Sequence, residues 1–241
     1  MDTTKDKNAG ERIIVALDYA DLKTAEELVR YLKGIISFFK VGLELFTSSG
    51  PGAVKMVTEN GAKVFLDLKF HDIPNTVVGA VSSALNLSVS MLNVHAAGGE
   101  EMMRAAAKTA AESENRPKLL AVTVLTSIDE EGFRQIGFSG SIGDSVVNLA
   151  KSAKNSGLDG VVCSPNEIRP VREILGADFL IVTPGVRPTW SQKDDQRRVM
   201  TPAEALNAGA DYIVIGRPIT ADKDPRRAAE RIIEDVDGEN I

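Results

Sequence analysis

The chain has one cysteine, Cys163, so no intrachain disulfide can form, and nowhere do Cys and His recur at metal-ligand spacing. No apolar run approaches the length of a membrane-spanning helix. The polar start, MDTTKDKNAGER, lacks the apolar stretch of a secretion signal. Basic charge is short as well: a net charge of −6 and a pI near 5.1 argue against a nucleic-acid partner. No G-x-G-x-x-G follows the first apolar run, which weakens the case for a dinucleotide-binding sheet. What remains is a cytoplasmic enzyme or binding protein with no metal, membrane or nucleic-acid site, its residues 1–11 forming a disordered leader.

What is present is a repeating alternation. Short apolar runs occur at Arg12–Asp18, Phe38–Val41, Lys63–Lys69, Ser90–Ala96, Lys118–Thr126, Gly160–Ser164, Phe179–Pro184 and Tyr212–Arg217. Segments with helical periodicity lie between them, as in the stripe of Ala229, Ile232, Ile233 and Val236 after Asp224-Pro225. Near-continuous apolar strands alternating with helices imply parallel pairing covered on the outside. Eight such units in 241 residues, with 43% hydrophobic content, predict an α/β fold. They fit a single-domain (β/α)8 TIM barrel over residues 12–241, with an open doubly wound sheet as the alternative.

In a barrel, chemistry collects where strands end and the following loops begin. Strand one ends in Asp18, strand two carries Lys40, and strand three delivers Asp67 and Lys69 with Asp72 just beyond. Asp67 and Lys69 are two residues apart and so share one side of a strand that otherwise reads as buried. A buried ion pair with an N-capping Asp72 would account for this pattern structurally. Desolvation roughly offsets the attraction of such a pair, however, so a third charge nearby favours a functional reading. At ~4 Å and an effective dielectric of about 20, each opposite pair is worth roughly 4 kcal/mol before desolvation. Lys69 held against a carboxylate suits a proton donor; the competing reading of a buried barrel lysine is a Schiff-base aldolase.

The other strand ends supply hydroxyls and phosphate-type groups. Strand four places His95 near the mouth as a packed residue, and His71 reads as structural. Strand five contributes Thr126 and Ser127, and strand six ends at Cys163, a small core residue, and Ser164. Pro184, Gly185 and Arg187 follow strand seven, and Gly216 with Arg217 follows strand eight. This is the usual phosphate corner of the fold, where glycine exposes backbone N–H groups and arginine offers a planar donor fork. Residues 187–199, RPTWSQKDDQRRV, are long and polar for a barrel loop and read as a lid. From it Gln196 would reach a phosphate or amide, and Trp190 would either cover the site or lie on the surface.

Together FLDLKFHDIPNTV, NVHA, VTVLTS, TPGVRP, DQRR and VIGRPIT closely resemble the bacterial orotidine 5′-phosphate decarboxylase family, in order and over nearly the whole chain. D-x-K-x-x-D alone is shared with metal-dependent sugar-phosphate decarboxylases and synthases of the same superfamily, whereas the extension HDIPNT is specific. The resemblance implies conversion of orotidine 5′-monophosphate to UMP and carbon dioxide in pyrimidine biosynthesis, without metal or organic cofactor. It implies Lys69 as proton donor to C6, Asp67 beside the substrate carboxylate, and Lys40 completing the array and, with Asp18, holding ribose hydroxyls. Thr126 and Ser127 would meet the pyrimidine, while Pro184, Arg187, Gln196, Gly216 and Arg217 would hold the phosphate. Family members are homodimers with sites at the interface, so Asp72, Ile73 and Thr76 would serve the partner's site. A catalytically inactive nucleotide-binding protein is the rival from another class, and the presence of both Asp67 and Lys69 counts against it.

Overall fold

Why these strands close on themselves follows from their two apolar faces. In β1 (Ile13–Ala16), Ile14 and Ala16 turn inward while Ile13 and Val15 turn outward, and all four are buried. The same alternation runs through β2 (Phe38–Gly42), β3 (Lys63–Phe70), β4 (Met91–His95) and β5 (Lys118–Val122). It continues in β6 (Gly160–Val162), β7 (Leu180–Pro184) and β8 (Tyr212–Ile215). A strand buried on both faces needs a helix layer outside and a packed barrel inside. In the computed structural model, which describes residues 8–191 and 200–238, the eight strands form a closed parallel barrel in sequence order, β8 pairing back onto β1.

Two cores result. The inner one holds Ile14, Phe38, Phe65, Met91, Leu120, Val182, Tyr212 and Val214, with Phe38 and Tyr212 in edge-to-face contact at 5.8 Å. The outer one lies between strands and helices, whose apolar stripes face it. The helix Ile168–Leu175 buries Ile168, Val171 and Leu175, and the last helix, Pro225–Gly238, buries Ala228, Ala229, Ile232 and Val236. No described helix is long and apolar enough to cross a membrane.

The end of the barrel opposite the site is tied by Arg172. Its guanidinium donates to the carbonyls of Gly176, Phe179 and Gly209 and to the Asp211 carboxylate at 2.6 Å. Asp211 also accepts the Ile181 N–H, so the pair satisfies backbone groups at the starts of β7 and β8.

Five expectations change. The leader read over residues 1–11 is shortened: Asn8 caps a helix, Ala9–Arg12, by accepting the Glu11 N–H, and Ala9 is buried. Residues 1–7 lie outside the described residues. Strand five stops at Val122, well before Thr126, because Leu125–Ile128 closes a turn through an Ile128 N–H to Leu125 carbonyl bond. Thr126 and Ser127 are therefore turn residues. Strands one, six and eight end one or two residues before the charged or polar groups assigned to them.

Candidate active site

Continuing the inward register one step above the inner core gives the mouth of the barrel. Two residues past Ala16, Phe38, Phe65 and Met91 stand Asp18, Lys40, Asp67 and Asn93. Two residues past Leu120, Val182 and Val214 stand Val122, Pro184 and Gly216. The mouth is thus charged along β1–β3 and polar at Asn93 of β4, whereas β5, β7 and β8 present apolar or glycine positions and β6 presents Ser164, two residues past Val162. One half can act on charge while the other can take the face of a planar ring.

The charged half is a single alternating chain. The Lys40 ammonium is 2.9 Å from Asp18 Oδ1 and 3.6 Å from Asp67 Oδ2. The Lys69 ammonium donates to Asp67 Oδ1 at 2.7 Å. The Lys40 and Asp67 side chains are each 12% exposed, against 31% for Lys69 and 56% for Asp18, so the centre of the chain is withdrawn from water while its two ends, Asp18 and Lys69, open onto the mouth. Burial by itself pushes the Asp67 carboxyl up, but the Lys40 and Lys69 ammonium groups, with hydrogen bonds from Lys69 and Asn93, outweigh it. The net direction is down, so Asp67 is held as a carboxylate.

Two features of this chain are invisible in residue types. Gly42, two residues after Lys40 and therefore on the same side, makes room for it. A Cβ at position 42 would stand 2.7 Å from Lys40 Nζ and 3.4 Å from Asp18 Oδ1. The second is the backbone of Lys69, which has φ +51°, a left-handed conformation that costs a side-chain-bearing residue about 1–2 kcal/mol. Here the β3–β4 register shifts between Leu66 and Phe70. The freed Lys69 N–H donates to Asn93 Oδ1 at 2.8 Å, and Asn93 Nδ2 donates to Asp67 Oδ1 at 2.7 Å. Asn93 lies in the NVHA segment and faces inward two residues before His95; spacing alone places it on the inner face but does not reveal its bond to the Lys69 N–H.

The remaining site candidates divide by place. Asp72 is exposed and its Oδ1 accepts the Ile73 N–H at 2.7 Å, outside the alternating chain. Ile73 is 67% exposed, and Thr76 is exposed on the helix Pro74–Leu85. Thr126 and Ser127 ride on the turn after β5. Arg187 is buried beside the end of β7, its N–H bonded to the Met200 carbonyl, and Arg217 is exposed just past Gly216. Gln196 lies outside the described residues.

His95 stacks on His71 at 5.2 Å, and burial, with the nearby His71 and Lys69, pushes its imidazole down toward the neutral form. This suits packing better than charge. Trp190 packs against the outer core, with the Arg231 guanidinium 4.4 Å from its ring centroid. The Cys163 thiol is buried and pushed up by desolvation, as befits an inert core residue. Among the described residues no three His, Cys, Asp or Glu side chains converge as metal ligands.

The chain is similar to known proteins throughout. The model of the orotidine 5′-phosphate decarboxylase / HUMPS family matches residues 11–232. The orotidine 5′-phosphate decarboxylase of Moorella thermoacetica is 54% identical over 236 residues, covering 95% of this chain and 94% of that protein. The Trichlorobacter lovleyi enzyme of the same name is 52% identical over 236 residues, covering 97% and 98%. The crystal structure of orotidine 5′-phosphate decarboxylase from Lactobacillus acidophilus superposes with a TM-score of 0.82 at 40% identity, covering 94% of this chain and 99% of that one.

Proposed function

The chain belongs to the orotidine 5′-phosphate decarboxylase family, and from that premise we propose that it converts orotidine 5′-monophosphate to UMP and carbon dioxide, with Lys69 as the proton donor and no cofactor. The observation that supports this reading best is the Asp18–Lys40–Asp67–Lys69 chain at the barrel mouth, with Lys69 the more open of its two cations. As the bond from C6 to the carboxylate breaks, its electron pair stays on C6. The Lys69 cation stabilises that developing charge and then gives it a proton. Asp67, ionised and fixed, stands beside the departing carboxylate and repels it more than it repels the product. Lys40 and Asp18 hold the ribose hydroxyls, and Thr126 and Ser127 reach the pyrimidine.

Pro184, Arg187, Gln196, Gly216 and Arg217 take the phosphate, whose binding energy, remote from C6, is spent on the chemical step. The working protein is a cytoplasmic homodimer whose sites lie at the interface and borrow Asp72, Ile73 and Thr76 from the partner. It acts without a nucleic-acid or membrane partner. The direct test follows loss of orotidylate absorbance by purified protein before and after dialysis against EDTA. Full turnover is expected in both. Activity lost to EDTA and restored by Mg²⁺ would instead assign the chain the metal-dependent chemistry of its superfamily.

Gly42 provides a second, local test. Its φ of −98° and ψ of −172° suit any residue, so Gly42→Ala should fold with a melting temperature near that of the parent. The added methyl has to displace the Lys40 ammonium, the free end of a flexible side chain. A displacement of about 1 Å in a positioned charge costs on the order of 10²-fold in rate. Turnover should fall by about that factor at unchanged stability. A fully active Gly42→Ala protein would show that Lys40 need not be held in place.

A further inference from the structure

Asn93 is 1% exposed and uses both ends of its amide on the two residues at the centre of the array. Its carbonyl takes the N–H that the shift in β3–β4 register leaves over at Lys69, and so supports a backbone conformation that lysine otherwise disfavours. Its NH₂ donates to the same Asp67 oxygen that receives the Lys69 ammonium. The donor and acceptor ends cannot be exchanged: turned over, the amide would set a carbonyl against a carboxylate and an NH₂ against an N–H. We propose that Asn93 is a positioning residue for the decarboxylation, locking the Lys69 backbone and the Asp67 carboxylate in one rigid unit so that the ammonium points at the reacting carbon. This rests on the function proposed above.

The alternative is a purely structural amide, satisfied and buried like many others. The two differ in what happens to Asp67. The charged groups facing its carboxylate are Lys40 from β2 and Lys69 from its own strand; Asp18 lies beyond Lys40, and His95 neighbours Lys69. Asn93 is the neutral donor to this carboxylate. Removing that donor raises the carboxyl toward its ordinary value or above it, because burial opposes the charge. Activity needs the carboxylate, so it is present above the Asp67 pKa and lost as pH falls through it. The acid limb of the pH profile must therefore move upward.

Two variants separate the roles. Asn93→Asp is nearly isosteric and keeps an acceptor for the Lys69 N–H but sets a second acid against Asp67. It should shift the acid limb of kcat/KM up by one pH unit or more, while KM and UMP affinity stay within about threefold because the phosphate grip is untouched. Asn93→Ala should lower kcat by on the order of 10²-fold with the same small change in KM. A kcat within threefold of wild type in Asn93→Ala, or an unshifted acid limb in Asn93→Asp, would overturn the proposal.

Should neither variant fold, the wild-type protein labelled with ¹⁵N at asparagine gives the answer without substitution or substrate. The Asn93 side-chain amide should resist hydrogen exchange and its shift should titrate with Asp67; rapid exchange or a flat shift would overturn the role. Failure of wild type to act on orotidylate would refute the proposed reaction, while this amide measurement still tests the Asn93–Asp67 coupling.

Discussion

Lys69→Ala is expected to retain UMP affinity within about threefold of wild type and to lose decarboxylation by on the order of 10⁴-fold. The asymmetry comes from where the ammonium sits. It touches Asp67 at 2.7 Å at the charged half of the mouth, whereas Gly216, Arg217 and Arg187 stand at the ends of β7 and β8 across the barrel. On the proposed function the nucleotide is anchored there, so its binding should survive while stabilisation of charge at C6 should not. Both the electrostatic and the proton-donating contributions vanish together, which is why the loss should exceed that for Asn93 or Gly42. The substitution also deprives Asp67 of one of its two cations, leaving Lys40 at 3.6 Å and the Asn93 amide.

The Asp67 carboxyl therefore rises toward its ordinary value in the variant, so the stability that its depressed pKa lends to the fold above the unfolded pKa, and that is lost as pH falls through the folded pKa, is smaller. Thermal melts taken from neutral pH down through the ordinary carboxylate range should show a shallower acid loss in Lys69→Ala than in wild type. Single-turnover assays and UMP titrations at pH 7 check the main claim. More than a few per cent of residual turnover, or UMP affinity lost in step with activity, would remove Lys69 from the chemical step.

The barrel was legible because a parallel strand buried on both faces has to be nearly all apolar, and eight such runs separated by helical stripes leave little else. The ends of those runs were less legible. Polar groups at Asp18, Thr126, Ser164 and Arg217 follow directly on apolar stretches, and nothing in residue type tells the last ladder bond from the first loop residue. The alternating charges of Asp18, Lys40, Asp67 and Lys69 could be read from spacing, since side chains two apart share a face. Asn93 and Gly42 could not be weighed in the same way. Asn93 matters because Lys69 has φ +51°, a backbone fact with no signature in a lysine, and Gly42 matters because of where the Lys40 side chain lies. The lid reading of residues 187–199 falls mostly on residues 192–199, which lie outside the described residues.

Asp72 leads to the second large effect. It follows the charged strand closely, yet its carboxylate turns to the Ile73 N–H instead of joining Lys40 and Lys69. Beside it Ile73 is 67% exposed and Leu43, just past β2, is 56% exposed, so apolar surface accompanies the acid at the rim. An acid and apolar groups presented outward at a mouth fit a symmetric partner whose own mouth lies opposite. If Asp72 completes that partner's site, Asp72→Asn should lose on the order of 10²–10³-fold in activity although its own barrel is intact.

Mixing Asp72→Asn with Lys69→Ala after dissociation then forms hybrids in which one site carries both defects and the other neither. With free exchange half the dimers are hybrid, and activity should recover to about one quarter of wild type. The reverse experiment carries the opposite sign. Wild type mixed with the Lys69→Ala/Asp72→Asn double variant forms hybrids in which each site has one defect, so the activity of an equal mixture should fall from one half to about one quarter of the wild-type value on exchange. Exchange verified by mass-tagged subunits, with no recovery in the first mixture and no fall in the second, would place the Asp72 carboxylate in its own subunit's chemistry or in none.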